Sequence, residues 1–265
     1  MSDKSNNSNM SFLEHLEVLR WHLVRSTIVI LLFTIVAFIF KGFVFDRVIL
    51  AQKSANFWTY QMICKFSHFV GNGDALCMED MHFSLINITM SGQFTIHIVT
   101  SVVVGIIVAF PYLLFEIWRF ITPALEKKEK KKALGLVFSG SILFVLGILF
   151  GYYFVSPLSV QFLGNYTVSE QITNQITLSS FISTVTTVTL VCGLVFQLPL
   201  IVFFLSNLGL LTPSFMRKYR KHATVITLCL SAIITPPDIS SQVLLTIPLL
   251  ILYEFSIYIS KMVEK

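Results

Sequence analysis

Six predominantly apolar stretches of this chain run almost without a charged residue. They cover about Leu23 to Phe45, Phe94 to Leu114, Ala133 to Val155, Leu178 to Asn207, Ala223 to Ile234 and Ser240 to Ile259. A helix that crosses a bilayer needs about 20 apolar residues, and the first four stretches meet that need. The last two are halves of one apolar run divided at Thr235-Pro236-Pro237-Asp238. Two adjacent prolines remove two amide donors and crowd the preceding turn, so one helix should end there and another begin. Both halves are expected to be short. Helix five would span about 20 Å against a hydrocarbon core of about 30 Å, and a re-entrant hairpin would fit that length as well.

Ahead of the first stretch, Phe12, Leu16, Leu19 and Leu23 recur at intervals of four, three and four, which is one face of a helix. Ser11 and Glu14 fit a capping box that would open it. Glu14, Glu17 and Arg20 fall off the stripe. Periodicity alone reads this segment as a lead-in helix lying on a membrane surface, with its charges solvated.

Composition agrees with the bilayer as solvent. Of 265 residues, 55% are hydrophobic and 12% charged, half the charge of a typical soluble domain. Mean hydropathy is +0.78. With 25 Phe in long apolar runs the chain cannot stay solvated as a disordered polymer. No cleavable signal sequence is expected, because residues 1–11 are polar and no small-residue cleavage site follows the first apolar run. The net charge of +5 points to basic loops facing the cytoplasm before it points to nucleic acid, and no nucleic-acid partner is expected. With the N-terminus inside, 15 of the 19 basic residues fall on cytoplasmic segments, including Lys127, Lys128, Lys130, Lys131 and Lys132. Joining helices five and six into one span would strand Lys261 and Lys265 outside. The expected fold class is therefore all-α. It is a polytopic membrane protein of six transmembrane helices with both termini cytoplasmic, forming one integral membrane domain over residues 1–265. Residues 1–22 form the amphipathic cytoplasmic segment, and 46–92 form the outer loop.

No phosphate loop, dinucleotide fingerprint, zinc pattern or nucleophile elbow is present, so neither enzyme chemistry nor a metal or cofactor is expected. The polar residues inside the spans each have a structural explanation. His97 suits a hydrogen bond between helices. Glu116, beside Trp118 and Arg119, suggests an interfacial ion pair. Tyr112, Phe115, Trp118 and Phe120 fit an aromatic belt. Glu254 suits pairing with Arg25 or with the basic cluster Arg217 to Lys221. Gln197, close to the carbonyl that Pro199 frees, would join helices. Asp238 would cap helix six, with Ser240 and Ser241 as rivals. Cys192 and Cys229 read as small apolar fillers. Cys64 and Cys77 share the outer loop, where a bridge closing about 14 residues could contribute about 3 kcal/mol; two reduced thiols are the alternative.

Several blocks resemble the TatC family, the multispanning receptors of twin-arginine protein translocases. They are Phe12-Leu-Glu-His-Leu-Glu-Val-Leu-Arg20, Phe110-Pro-Tyr with Phe120-Ile-Thr-Pro-Ala-Leu125 and Glu129, and Phe150-Gly-Tyr-Tyr-Phe-Val-Ser-Pro157. Phe196-Gln-Leu-Pro199 and Thr235-Pro-Pro-Asp-Ile-Ser-Ser-Gln242, with Pro248 and Tyr253-Glu254, complete the set. The resemblance implies a receptor that binds twin-arginine signal peptides and recruits single-span partners of the TatA and TatB type. Folded proteins would then cross a bacterial inner membrane on the proton-motive force. It implies a homo-oligomer within that complex, in contact with membrane lipid. The implied signal-peptide residues are Glu17, Arg20, Phe120, Glu126 and Glu129; the implied partner-docking and intramembrane polar positions are Gln197, Pro199, Asp238 and Glu254. Carboxylates suit this role because a guanidinium fork pairs with them bidentately.

Three positions depart from the family pattern. The usual glutamate before Leu-Arg is Val18 here, with the acid one residue earlier at Glu17, 100° around a helix. The acid before the helix-four proline is Gln197, which carries no charge. Ala51-Gln52 stands where a proline is common. A secondary, ion-coupled solute transporter is the competing class. The lack of an inverted repeat and the scarcity of charge at mid-membrane depth argue against it.

Overall fold

The computed structural model describes residues 12–71, 73–77, 83–121, 133–169, 174–235 and 239–263. Helix α1, Phe12–Ile39, is continuous, so the amphipathic lead-in and the first apolar stretch form one rod. A π-helical stretch, Phe43–Ile49, and a 3-10 turn, Leu50–Lys53, follow it. Within the loop between the first two spans lies an amphipathic helix that the apolar pattern did not resolve, α2, Trp58–Val70. Then come α3, Gly92–Ile121, and α4, Ala133–Phe150. A π-helical turn, Gly151–Val155, joins α4 to α5, Ser156–Asn165. The chain returns through α6, Leu178–Val195, and α7, Leu198–Asn207, which are separated by a turn at Phe196-Gln197 before Pro199. Three helices close the fold: α8, Pro213–Lys218; α9, Arg220–Ile234; and α10, Ile239–Val263.

Among the described residues, five helical segments are long and apolar enough to cross a membrane: Leu16–Ile39, Gly92–Ile121, Gly135–Asn165, Leu178–Asn207 and Ser241–Met262. The molecule is thus an all-α polytopic membrane protein. Helix α9 is short, as expected: its 15 residues rise about 22 Å. The expectation of a short sixth helix is corrected, because α10 runs 25 residues straight through Pro248. Its packing against α7 and α9 holds the helix where the proline leaves a carbonyl without an amide partner. The third span is also longer than expected. The wide π-helical turn precedes Pro157, which sits in the first turn of α5, where its missing amide costs little. Beyond it, Ser84–Ile86 (β1) and Gln175–Thr177 (β2) pair in parallel, with Leu85 opposite Ile176. This small sheet ties together two loops far apart in sequence.

Helix α1 lies along α3, and a glycine sets how closely. A Cβ on Gly105 would stand 2.9 Å from the Thr34 amide nitrogen and 3.1 Å from the Ile30 carbonyl oxygen. Small residues permit such approach where helices meet in lipid. Phe110, Leu114, Trp118 and Phe144 form one buried cluster, with the Phe110 and Phe144 rings stacked at 3.5 Å. Trp118 is therefore core rather than a member of the aromatic belt. A second cluster joins Val155, Val188, Cys192, Leu245 and Leu249. Cys192 is the filler expected of it, whereas Cys229 is exposed on α9.

The far end of the bundle, where α2 and the sheet lie, is closed by polar contacts. Gln52 is fully buried; its Nε2 donates to the Tyr152 carbonyl at 2.9 Å, and its Oε1 accepts from Ser156 Oγ at 2.7 Å. Thr59 Oγ1 donates to the Tyr153 carbonyl, and Tyr60 OH to the carbonyl of Pro157 at 3.0 Å. The carbonyls around the π-helical turn thereby find donors in the loop between the first two spans, as buried carbonyls require. Burial pushes the Tyr60 hydroxyl well above its ordinary pKa, so it stays a donor.

Candidate functional site

The start of α1 meets the end of α3 through a histidine. His22 Nδ1 pairs with the Oε2 of Glu116, and the other carboxylate oxygen accepts from Tyr112 OH at 2.7 Å. The Phe120 ring stands edge-on to the His22 imidazole, centroids 5.9 Å apart. Tyr112, Glu116 and Phe120 recur every four residues and so share one face of α3. Glu116 is 2% exposed. A carboxylate so buried needs its partners, and here it has one on each oxygen.

This contact places three of the implied signal-peptide residues, Glu17, Arg20 and Phe120, relative to one another. Glu17 and Arg20 lie on the turns of α1 just before His22, both exposed, and Phe120 lies on the last turn of α3. Leu16 and Leu23, on the same stripe of α1, are 43% and 58% exposed, which leaves an apolar surface beside those charges. Glu126 and Glu129 fall outside the described residues, as do the lysines from 127 to 132 and the capping-box position Ser11.

The intramembrane positions behave differently. Gln197 is buried at the turn between α6 and α7, and its Nε2 donates to the Gly140 carbonyl of α4 at 3.0 Å. Its Oε1 lacks a partner among the described residues. Beside it, Gly140, Leu143, Pro199, Leu200, Phe203 and Phe255 line an apolar groove. Glu254 pairs with Arg220 at 2.7 Å, within the basic cluster named from sequence; both side chains are about half exposed, so the pair is worth under about 1 kcal/mol. Asp238 lies outside the described residues. His97 Nε2 contacts the Phe38 carbonyl at 3.1 Å with its ring stacked on Phe38, which is the helix-joining role its position suggested. Cys64 and Cys77 are joined in a disulfide, with Cα atoms 4.3 Å apart.

One residue of this site and one at the far end of the bundle were missed in the sequence. His22 carried no motif and sits on a span whose stripe drew attention elsewhere. Gln52 was noted only as a departure. The four-residue recurrence of Tyr112, Glu116 and Phe120 was legible, but nothing local pairs it with position 22, 94 residues away.

Comparison with known proteins bears on these contacts. The family model for the Sec-independent protein translocase protein TatC matches residues 14–248. A TatC from Blattabacterium sp. subsp. Periplaneta americana is 36% identical over 263 residues, covering 99% of both chains. One from Aquifex aeolicus is 33% identical over 257 residues, covering 97% of both. Two crystal structures described as the twin arginine translocase receptor TatC superpose well. One has TM-score 0.69 at 31% identity, covering 95% of this chain and 100% of the other. The second, in the detergent DDM, has TM-score 0.71 at 34% identity, covering 92% and 98%. With a family model spanning most of its length and full-length relatives above 30% identity, this chain belongs to the TatC family of Sec-independent protein translocase proteins.

Proposed function

We propose that this TatC protein binds twin-arginine signal peptides on the surface formed by the start of α1 and the end of α3 with the loop that follows. The observation that supports this most is the His22–Glu116 and His22–Phe120 contact, which brings two segments distant in sequence to one end of the bundle. Glu129, and Glu126 three residues earlier in the sequence, would take the guanidinium groups together with Glu17, and Arg20 would complete the polar rim. The exposed Leu16 and Leu23 would cover the apolar part of the peptide. Five lysines between 127 and 132 repel a basic peptide at long range, so binding rests on short-range bidentate pairing.

The wider arrangement belongs to the same reading. Six spans, with α9 as the short fifth, put both termini in the cytoplasm of a bacterial inner membrane, as the basic-residue bias requires. The groove beside Gln197 and Pro199 suits a single-span partner of the TatA or TatB type. Asp238 and Glu254 would mark the two ends of the same helical pair. As a translocase component the chain catalyses no bond chemistry.

Co-purification tests the reading. The tagged protein should retain single-span partners and a twin-arginine signal fusion, and should lose the fusion when both arginines become lysines. Reporters fused at Lys130 and Lys265 should both read cytoplasmic. Equal retention of the twin-lysine fusion, or an external reporter, would contradict it.

A further inference from the structure

The far end of the molecule carries a side-chain cluster that lies outside the proposed signal-peptide surface. Cys64 and His68 are four residues apart on α2 and so share a face. Past the helix, Gly71 and Gly73 take left-handed conformations, φ 85° and 55°, and turn the chain back. Ser67 Oγ donates to the Gly73 carbonyl at 2.7 Å and holds that turn. The returning segment brings Asp74 and Cys77 against the same face of α2. His68 Nε2 lies 3.1 Å from Asp74 Oδ1 and 3.6 Å from Cys77 Sγ, so one ring nitrogen points into the centre of the group. All four potential ligand atoms lie within 4.8 Å of one another.

The two distances from His68 match those around a tetrahedral ion. With zinc bonds of about 2.3 Å to sulfur and about 2.0 Å to nitrogen or oxygen, tetrahedral angles put sulfur about 3.5 Å from nitrogen and nitrogen about 3.3 Å from oxygen. Two cysteines, one histidine and one carboxylate are also a donor set that zinc takes. The bridge between Cys64 and Cys77 blocks it, because bonded sulfurs are neither thiolates nor far enough apart. Freed, they must part to about 3.8 Å to flank one zinc ion. Cys77 can supply that shift: it follows the last short turn of the returning segment, whereas Cys64 and His68 are fixed on a helix.

We propose that Cys64, His68, Asp74 and Cys77 form a zinc site that is masked while the cysteines are bridged and opens when the bridge is reduced. The chemistry balances with a phosphine as reductant. The phosphine takes the oxygen of one water to become the phosphine oxide, the sulfur–sulfur bond breaks, and two thiols form. Zinc then binds both as thiolates and two protons leave to solvent. Either state fastens the returning segment to α2, by a covalent bridge or by a metal.

The test uses the full-length protein in detergent, oxidised or reduced with a phosphine and desalted, titrated with Zn²⁺ against a chromogenic chelator. Cobalt(II) serves as a second probe, since its visible absorption reports a tetrahedral thiolate site. A Cys192→Ala, Cys229→Ser background removes the other thiols. The reduced protein should bind one zinc per chain and the oxidised protein none. His68→Ala, which leaves the bridge intact and so lets folding be checked in the oxidised state, should weaken binding at least tenfold. Asp74→Asn should weaken it less, and Cys77→Ser should abolish the cobalt spectrum. Equal zinc uptake in both redox states, no uptake by the reduced protein, or wild-type affinity in His68→Ala would each overturn the proposal.

Discussion

Replacing His22 by alanine tests the join between α1 and α3. The Glu116 carboxylate is 2% exposed, and its oxygens accept from Tyr112 at 2.7 Å and from His22. The substitution leaves a buried carboxylate with one partner. Breaking a buried pair from one side costs about 3–5 kcal/mol, and the 12% exposure of the His22 side chain lets some water in, so the lower end, about 3 kcal/mol, applies here. Glu116→Gln should cost about 1 kcal/mol, because the amide keeps a hydrogen bond to each neighbour. In the double variant the stranded charge is gone, so stability should recover part of the His22→Ala loss. Equilibrium unfolding of the four proteins in mixed micelles gives the coupling, expected at about 1–3 kcal/mol. Additivity within about 0.5 kcal/mol would refute the reasoning, since it would mean that the two side chains do not sense each other. His22 also supports Phe120, so His22→Ala should weaken twin-arginine peptide binding as well, whereas a change confined to stability would separate the join from the site.

Other substitutions probe the remaining elements. Glu129→Gln should weaken twin-arginine peptide binding roughly ten- to a hundredfold, the worth of a charge-assisted hydrogen bond of about 1.5–3 kcal/mol, with a smaller loss for Glu126→Gln; peptide titration in nanodiscs reads both. Unchanged affinity in the double variant would leave those carboxylates as surface partners of the lysines. Gly105→Val should destabilise the protein by about 1–3 kcal/mol or more in a thermal melt, because its Cβ would stand 2.9 Å from the Thr34 amide nitrogen. Gln52→Leu strips a donor from the Tyr152 carbonyl and an acceptor from Ser156, at about 1–3 kcal/mol for each buried group left unpaired, and should raise protease sensitivity at the outer loop.

What the sequence showed and what it hid follow from the range of the interactions. Spans were legible because bilayer thickness fixes how many apolar residues a crossing needs, and the double proline at 236–237 marked the break between the last two helices. Helix ends were less legible. The third span was expected to end at Val155, yet the chain continues through a π-helical turn and Pro157 to Asn165, and α10 extends past its expected end at Ile259 to Val263. The β1–β2 pairing links residues about 90 apart, and three-residue strands leave no period to detect. At the site, the residue types were legible from the family blocks, and Gln197 and Glu254 took partners of the kind their surroundings suggested. The His22–Glu116 pair was not legible, because a contact across 94 residues depends on how α1 lies on α3.

The central claim is that the start of α1 and the end of α3 together receive the signal peptide. Photocrosslinking tests it most directly, using a twin-arginine signal peptide with a photoreactive residue next to the arginines, bound to the protein in nanodiscs. Mass spectrometry should map saturable adducts to residues 12–22 and to 116–129, and a twin-lysine peptide should compete at least tenfold less well. Adducts confined to the far end of the bundle near α2, or equal competition by the twin-lysine peptide, would contradict the account.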